Sequence, residues 1–313
     1  MSLKQPKKTY LSKTQFKKAG IKENFTREQI QEYMKCSESP TYFIEKYVRI
    51  VTLDEGLTEF KLRDYQKVLI NDCHVSRYNI ACYSRQSGKT ICVDGYIVWY
   101  ALFSQDKTIA IVANSQKTAR EILCKKIYKM IENIPWFLQQ GVTELNMSDI
   151  SFENGCRIIA RSSAEDSLRS YSVNLLYIDE MAFLDNDVQF YNASYPVITA
   201  GKTSKIIISS TPHPYKLNLF YKLFRDAQSK KNGFIAHLVT WKDVPGRDEE
   251  WKNREIERTS KEQFLCEQEC KFASGSQSII NNTKLQTMTT MEPIQVIDND
   301  SFVNPPSMGT IMC

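Results

Sequence analysis

Asn79-Ile80-Ala81-Cys82-Tyr83-Ser84-Arg85-Gln86-Ser87-Gly88-Lys89-Thr90-Ile91 is the stretch from which the rest of the chain can be read. Asn79 to Ser84 is a short apolar run of strand length, Ser84 to Thr90 is small and polar, and Ile91 to Phe103 is apolar and aromatic over the length of a buried helix. The order is strand, loop, helix. Thr108 to Val112 predicts a second strand. Ser115 predicts a cap for a helix reaching Ile131, in which Ala119, Ile122, Leu123, Ile127 and Met130 recur at helical spacing and Pro135 lies just beyond the end. Leu175 to Ile178 and Ile206 to Ser209 are continuous apolar runs between polar residues, as strands covered on both faces require. Before them, Ser151–Phe152 and Arg157–Ala160 flank Asn154-Gly155, the signal of a two-residue hairpin. Strands and helices alternating in this way predict an α/β fold with a mostly parallel, doubly wound sheet flanked by helices.

The ends of the chain differ in texture. Phe25 to Val48 predicts two short helices interrupted at Pro40, and beyond Ser274 periodicity gives way to Ser, Thr, Asn and Pro, ending near Pro305-Pro306. Residues 1–30 hold eight Lys/Arg against two Asp/Glu, a net of +6, while the remainder, with 33 against 34, is close to neutral. Such an arm can meet nucleic-acid phosphates or remain a solvated tail. No apolar run approaches the roughly 20 residues of a membrane span. The nine cysteines are scattered without a CxxC and there are three histidines, His74, His213 and His237, with no partners in view. Reduced thiols and no zinc site are therefore expected.

Ser84 to Thr90 resembles a Walker A loop. Backbone amides at a helix N-terminus would cradle phosphate oxygens, Lys89 would reach the β and γ phosphates, and Thr90 would offer its hydroxyl to Mg²⁺. Tyr83 stands where GxxxxGK[ST] has its first glycine, so the match is degenerate, and a short GKT also occurs in ordinary turns. Context decides between them. Leu175-Leu176-Tyr177-Ile178-Asp179-Glu180 is an apolar strand ending in two acids: Asp179 to hold Mg²⁺ and Glu180 to orient and polarise the attacking water. Ser209-Ser210-Thr211-Pro212 ends a later strand with small hydroxyls that could sense a γ-phosphate, although these residues are also common turn formers.

From Leu62 to Ile280 the chain resembles the large terminase subunit of tailed bacteriophages. The resemblance rests on Leu62-Arg63-Asp64-Tyr65-Gln66, the SRQSGKT loop, Ala160 to Arg169, Tyr177 to Phe183, Ser210-Thr211-Pro212 and Gln263-Phe264 to Phe272. It implies a P-loop (RecA-like, ASCE) ATPase with a small helical lid. The implied substrate is ATP with Mg²⁺, and the implied task is to drive double-stranded DNA into a procapsid. The cofactor-binding residues would be Tyr65, Gln66, Ser84, Arg85, Gln86, Ser87, Gly88, Lys89, Thr90 and Thr211, with Tyr65 and Gln66 on the adenine. Metal would fall to Thr90 and Asp179, and catalysis to Glu180, Lys89 and an arginine finger. Arg169, acting on a neighbouring subunit, is favoured slightly over Arg85 within its own loop, and Arg161 is weaker; any of them could instead be structural. Implied partners are the portal protein and procapsid, the small terminase subunit and further copies in a ring, in the host cytoplasm and away from membranes.

The expected organisation is a basic arm and N-terminal helices over 1–58, the ATPase core over 59–242, a lid and coupling segment over 243–278 and a tail over 279–313. Trp251, Ile256, Phe264 and Leu265 are expected to pack on Tyr33 and Phe43. Nuclease activity is not expected, because the 35 residues after Ser278 fall below the roughly 40 needed for an unaided fold, and Asp298 and Asp300 lack a sheet to hold them. A helicase-like, nucleic-acid-stimulated ATPase and a nucleotide-dependent binding switch are the alternatives. The former needs a second RecA-like domain, and the intact Lys89, Thr90, Asp179 and Glu180 argue against the latter.

Overall fold

The computed structural model describes residues 9–10, 15–164 and 166–272. The tail expected over 279–313, with Asp298 and Asp300, and residues 1–8 and 11–14 of the basic arm lie outside them. Two helices come first, α1 (Arg27–Glu38) and α2 (Pro40–Tyr47). Thr26 and Gln29 close a capping box on α1, whereas Pro40 starts α2 at its first position, where a missing N–H costs nothing. A hairpin of β1 (Arg49–Thr52) and β2 (Gly56–Glu59) and helix α3 (Asp64–Val75) lead into β3 (Tyr78–Tyr83) and α4 (Lys89–Phe103).

Next come β4 (Thr108–Ala113) and a helix that is not uniform. Ser115 caps α5 (Gln116–Glu121) by accepting from the Thr118 amide at 3.1 Å, and a π-helical segment, Ile122–Ile127, joins it to α6 (Tyr128–Glu132). After β5 (Val142–Leu145), the pair β6 (Asp149–Phe152) and β7 (Arg157–Ser162) forms the expected hairpin with a longer turn. Gly155 alone takes the left-handed conformation, at φ 76°, with its amide on the Phe152 carbonyl at 3.0 Å. This is the three-residue turn with a bulged glycine rather than the two-residue type, because Asn154 does not adopt positive φ.

The chain continues with β8 (Leu175–Asp179), α7 (Asp187–Thr199), β9 (Lys205–Ser210), α8 (Leu219–Gln228) and β10 (Ile235–Val239), and then α9 (Glu249–Arg258) and α10 (Lys261–Glu267). The eight-stranded sheet has the order β10-β3-β9-β8-β4-β7-β6-β5, parallel from β10 to β7 and antiparallel beyond. Alternation within each apolar run feeds two cores. Leu175 and Tyr177 join α4 on one face, while Leu176 and Ile178 join α7 and α8 on the other. That is why these strands read as continuous apolar runs. Among the described residues, no helix is long and apolar enough to cross a membrane.

One expected contact does not form. Tyr33 and Phe43 pack on Phe103 at the end of α4, with ring centroids 5.1 and 5.2 Å away. Trp251 and Phe264 instead close a cluster with Trp241, at centroid distances of 5.9 to 6.2 Å. Each set finds the aromatic surface nearest its own segment, so the N-terminal helices belong to the α4 face of the core.

Candidate active site

The loop between β3 and α4 has its C-terminal half bent by two left-handed residues, Gln86 (φ 58°) and Gly88 (φ 81°). A Cβ on Gly88 would sit 2.7 Å from Gln66 Nε2, so glycine is needed for both conformation and space. The amides of Gln86, Gly88, Lys89 and Thr90 meet no acceptor among the described residues. Among the described residues the hydroxyl of Ser87 is buried without a hydrogen-bond partner. Unspent donors at the start of a 15-residue helix form an anion cradle, where the helix dipole adds to the amides.

Opposite the loop stand the tips of β8 and β9. Their parallel register sets Asp179 beside Ser209. Asp179 Oδ1 accepts from the Tyr177 hydroxyl at 2.7 Å and the Ser209 hydroxyl at 2.8 Å, and Thr90 Oγ1 lies 3.3 Å from both carboxylate oxygens. Glu180 turns away from the strand in the left-handed region, at φ 51° and ψ 47°, a conformation that costs energy for any residue with a Cβ. Its Oε1 pairs with Lys89 Nζ at 2.6 Å, and its Oε2 accepts from Ser210 Oγ at 3.3 Å and the Thr211 amide at 3.4 Å. Thus Lys89, Thr90, Asp179, Glu180 and Thr211 come together at one edge of the sheet. The hydroxyl of Thr90 and the carboxylate of Asp179 are hard oxygen donors. Mg²⁺ typically takes one or two such protein groups and fills its remaining positions with water and phosphate, so these residues fit it.

The other expected residues take more specific places. Gln66 is buried, and its amide bridges the Arg63 N–H at 2.9 Å and the Gly88 carbonyl at 3.2 Å. Tyr65 donates to the Ser87 carbonyl at 2.7 Å. Both brace the loop from behind. Tyr83, in place of the motif's first glycine, is buried edge-on to Tyr65 and donates to its carbonyl at 3.2 Å. Arg85 points outward and pairs with Glu267 at 2.9 Å, while its amide donates to the Glu267 carbonyl. Arg169 is 58% exposed and pairs with Asp166 at 2.7 Å. Arg161 is held by Asp149 and the Tyr171 hydroxyl, at 2.9 and 2.6 Å, as a structural strut.

Three contributors go beyond the sequence reading. Tyr177 was detectable, since it lies two residues before Asp179 on the same strand face. Ser209, expected as a phosphate sensor, serves the acid beside it. Arg247, which donates to Ser84 Oγ at 3.1 Å and to the Arg85 carbonyl at 3.0 Å, lies in a segment with no motif.

Residues 80–287 match the family described as terminase large subunit, T4likevirus-type, N-terminal. The chain belongs to the large terminase family. Solved structures similar to this terminase chain include the large terminase of bacteriophage HK97, with a TM-score of 0.62, 18% identity, and coverage of 75% of this chain and 55% of that one. The large terminase ATPase domain of Thermus phage P74-26 gives a TM-score of 0.55 at 20% identity, covering 68% of this chain and 94% of that domain. The large terminase of a thermophilic bacteriophage, solved in complex with ADP, gives 0.54 at 14%, covering 68% of this chain and 54% of that one. The terminase chain therefore spans about half the length of the HK97 protein and shares the P-loop ATPase fold. A mostly parallel sheet flanked by helices, with β9 between the loop strand β3 and the acid strand β8, is that fold here.

Proposed function

We propose that this chain hydrolyses ATP to ADP and phosphate and uses the reaction to move double-stranded viral DNA into a procapsid. The observation that supports this most is the Lys89–Glu180 ion pair, 2.6 Å long, lying between a cradle of unspent amides and an acid with three hydroxyl neighbours. An arriving γ-phosphate competes for Lys89. Glu180 then loses its cation and is left beside the phosphate with an oxygen able to orient water and accept its proton. Asp179 and Thr90 would hold Mg²⁺, which neutralises charge on the phosphate oxygens when bound. Thr211, whose amide donates to Glu180, would couple the state of that carboxylate to the segment that follows β9. Arg169 would complete a neighbouring site in a ring seated on a portal, with a small terminase subunit and procapsid as further partners in the host cytoplasm.

The test is steady-state ATP hydrolysis by the chain alone and mixed with portal-bearing procapsids and linear duplex DNA. Expected are turnover that rises in the full mixture, DNA sheltered from added nuclease, and a loss of about 10²- to 10⁴-fold in Glu180→Gln with ATP binding retained. Turnover indifferent to procapsids, or stimulated only by single strands, would move the chain to the helicase-like class.

A further inference from the structure

The outer side of the phosphate loop is gripped by two guanidinium groups. Arg63 Nη1 donates to the Ser87 carbonyl at 3.3 Å and to the Tyr65 hydroxyl at 2.7 Å. Arg247 Nη2 donates to the Arg85 carbonyl at 3.0 Å, and its Nη1 to Ser84 Oγ at 3.1 Å and Gln268 Oε1 at 2.9 Å. Its guanidinium carbon lies over Trp251, 4.6 Å from the ring centroid. Every one of these acceptors is neutral. Among the described residues neither arginine pairs with a carboxylate, whereas Arg85, beside them, pairs with Glu267. Burial and the charge of Arg63 both press the Arg247 guanidinium below its ordinary pKa, so the two cations are near enough to repel.

Among the described residues the only carboxylate that offsets the charge of Arg247 is the more distant Glu255, and two half-buried cations with no paired carboxylate attract an anion to the loop. Their hydrogen bonds show where that attraction is directed. They occupy the carbonyls of residues 85 and 87, while the unspent amides of residues 86, 88, 89 and 90 belong to the same loop. A charged donor on a peptide carbonyl fixes the orientation of that peptide and, with it, of the N–H on its other side.

We propose that Arg63 and Arg247 are positioning residues that clamp the loop as a preformed polyphosphate cradle and raise its positive potential from behind. Arg247 also ties the cradle to α9 through Trp251 and to the end of α10 through Gln268. This rests on the nucleotide-site reading above and adds two residues that do not themselves touch phosphate.

The experiment is competition binding of ATP, ADP and AMP to the full chain, with thermal melting of each variant. Arg247→Ala is expected to weaken ATP and ADP about tenfold, the scale of one charge-assisted hydrogen bond, and AMP by less than about threefold. Arg63→Ala should follow the same order. Arg247→Lys keeps a cation over Trp251 without the fork and should fall between wild type and Arg247→Ala; it decides the matter if the alanine variant melts early. Unchanged ATP affinity, or equal losses for all three nucleotides, overturns the clamp and leaves the nucleotide site standing. Failure of the wild type to bind ATP overturns the nucleotide site and the clamp with it.

Discussion

The tips of β8 and β9 and the loop carrying Arg169 are held in opposite ways. At the tips, the carboxylates of Asp179 and Glu180 are each met by donors from two or three separate elements, and Asp179 is 5% exposed. In the loop, Leu168 is buried as an anchor, but the next side chain stands in solvent, paired with Asp166 three residues away. Arg169 is 58% exposed, so solvent screens its pair with Asp166. The difference separates carboxylates fixed by several elements from an arginine fixed only by its own loop. Under the proposed function the first would be preorganised for metal and water, and the second would act on a neighbouring molecule.

Removing the Arg169 charge is expected to give the largest effect. Arg169→Ala should retain ATP affinity and lose about 10³-fold or more in assembled turnover, while Arg85→Ala, whose guanidinium and amide are both tied to Glu267 of α10, should lose far less. Mixing Arg169→Ala with Glu180→Gln chains tests where the arginine acts: hybrid rings should recover some turnover, because each lesion can fall on a different interface. A larger loss in Arg85→Ala, or no recovery on mixing, would break the contrast and return the finger to its own loop.

A smaller effect probes the fixed side. Tyr177→Phe removes one of the hydroxyls on Asp179 while keeping the buried ring. One such hydrogen bond is worth about 1 kcal/mol, so turnover at limiting Mg²⁺ should fall by roughly fivefold and recover as Mg²⁺ is raised. A deficit that persists at saturating Mg²⁺ would place the Tyr177 hydroxyl in another step.

Much of this site was legible because periodicity and local chemistry coincide there. Gly88-Lys89-Thr90 must begin a helix, Asp179-Glu180 must end a buried strand, and parallel strands bring such ends to one edge. What escaped depends on register and on distant segments. The Ser209 contact follows from pairing β9 with β8, and the Arg247 contact from a turn more than 160 residues after the loop it braces. The aromatic residues of α9 and α10 were recognisable as core, yet nothing in their spacing chose Trp241 over Phe43 as partner. The π-helical segment was equally hidden, since its apolar residues fit ordinary helical spacing.

Asp94 brings the comparison down to two carboxyls of one core. It lies on α4 one turn beyond Thr90, with 0% exposure, and among the described residues neither oxygen has a hydrogen-bond partner, in contrast to Asp179. Burial raises its pKa well above the ordinary carboxylate range; Lys126 opposes the shift and Asp179 reinforces it. The folded chain therefore keeps a proton that the unfolded chain releases near pH 4. Stability linked to this group is full below that value and is lost as pH rises towards the folded pKa, so at neutral pH Asp94 destabilises the fold. Asp94→Asn cannot ionise and should melt a few degrees higher than wild type, about 2 to 4 °C for each kcal/mol recovered, with a larger gain at pH 8 than at pH 5. A gain that is the same at both values would show that the carboxyl has no linked proton between them. A loss at both would show that the helix interior needs this side chain's charge as much as the strand tip needs that of Asp179.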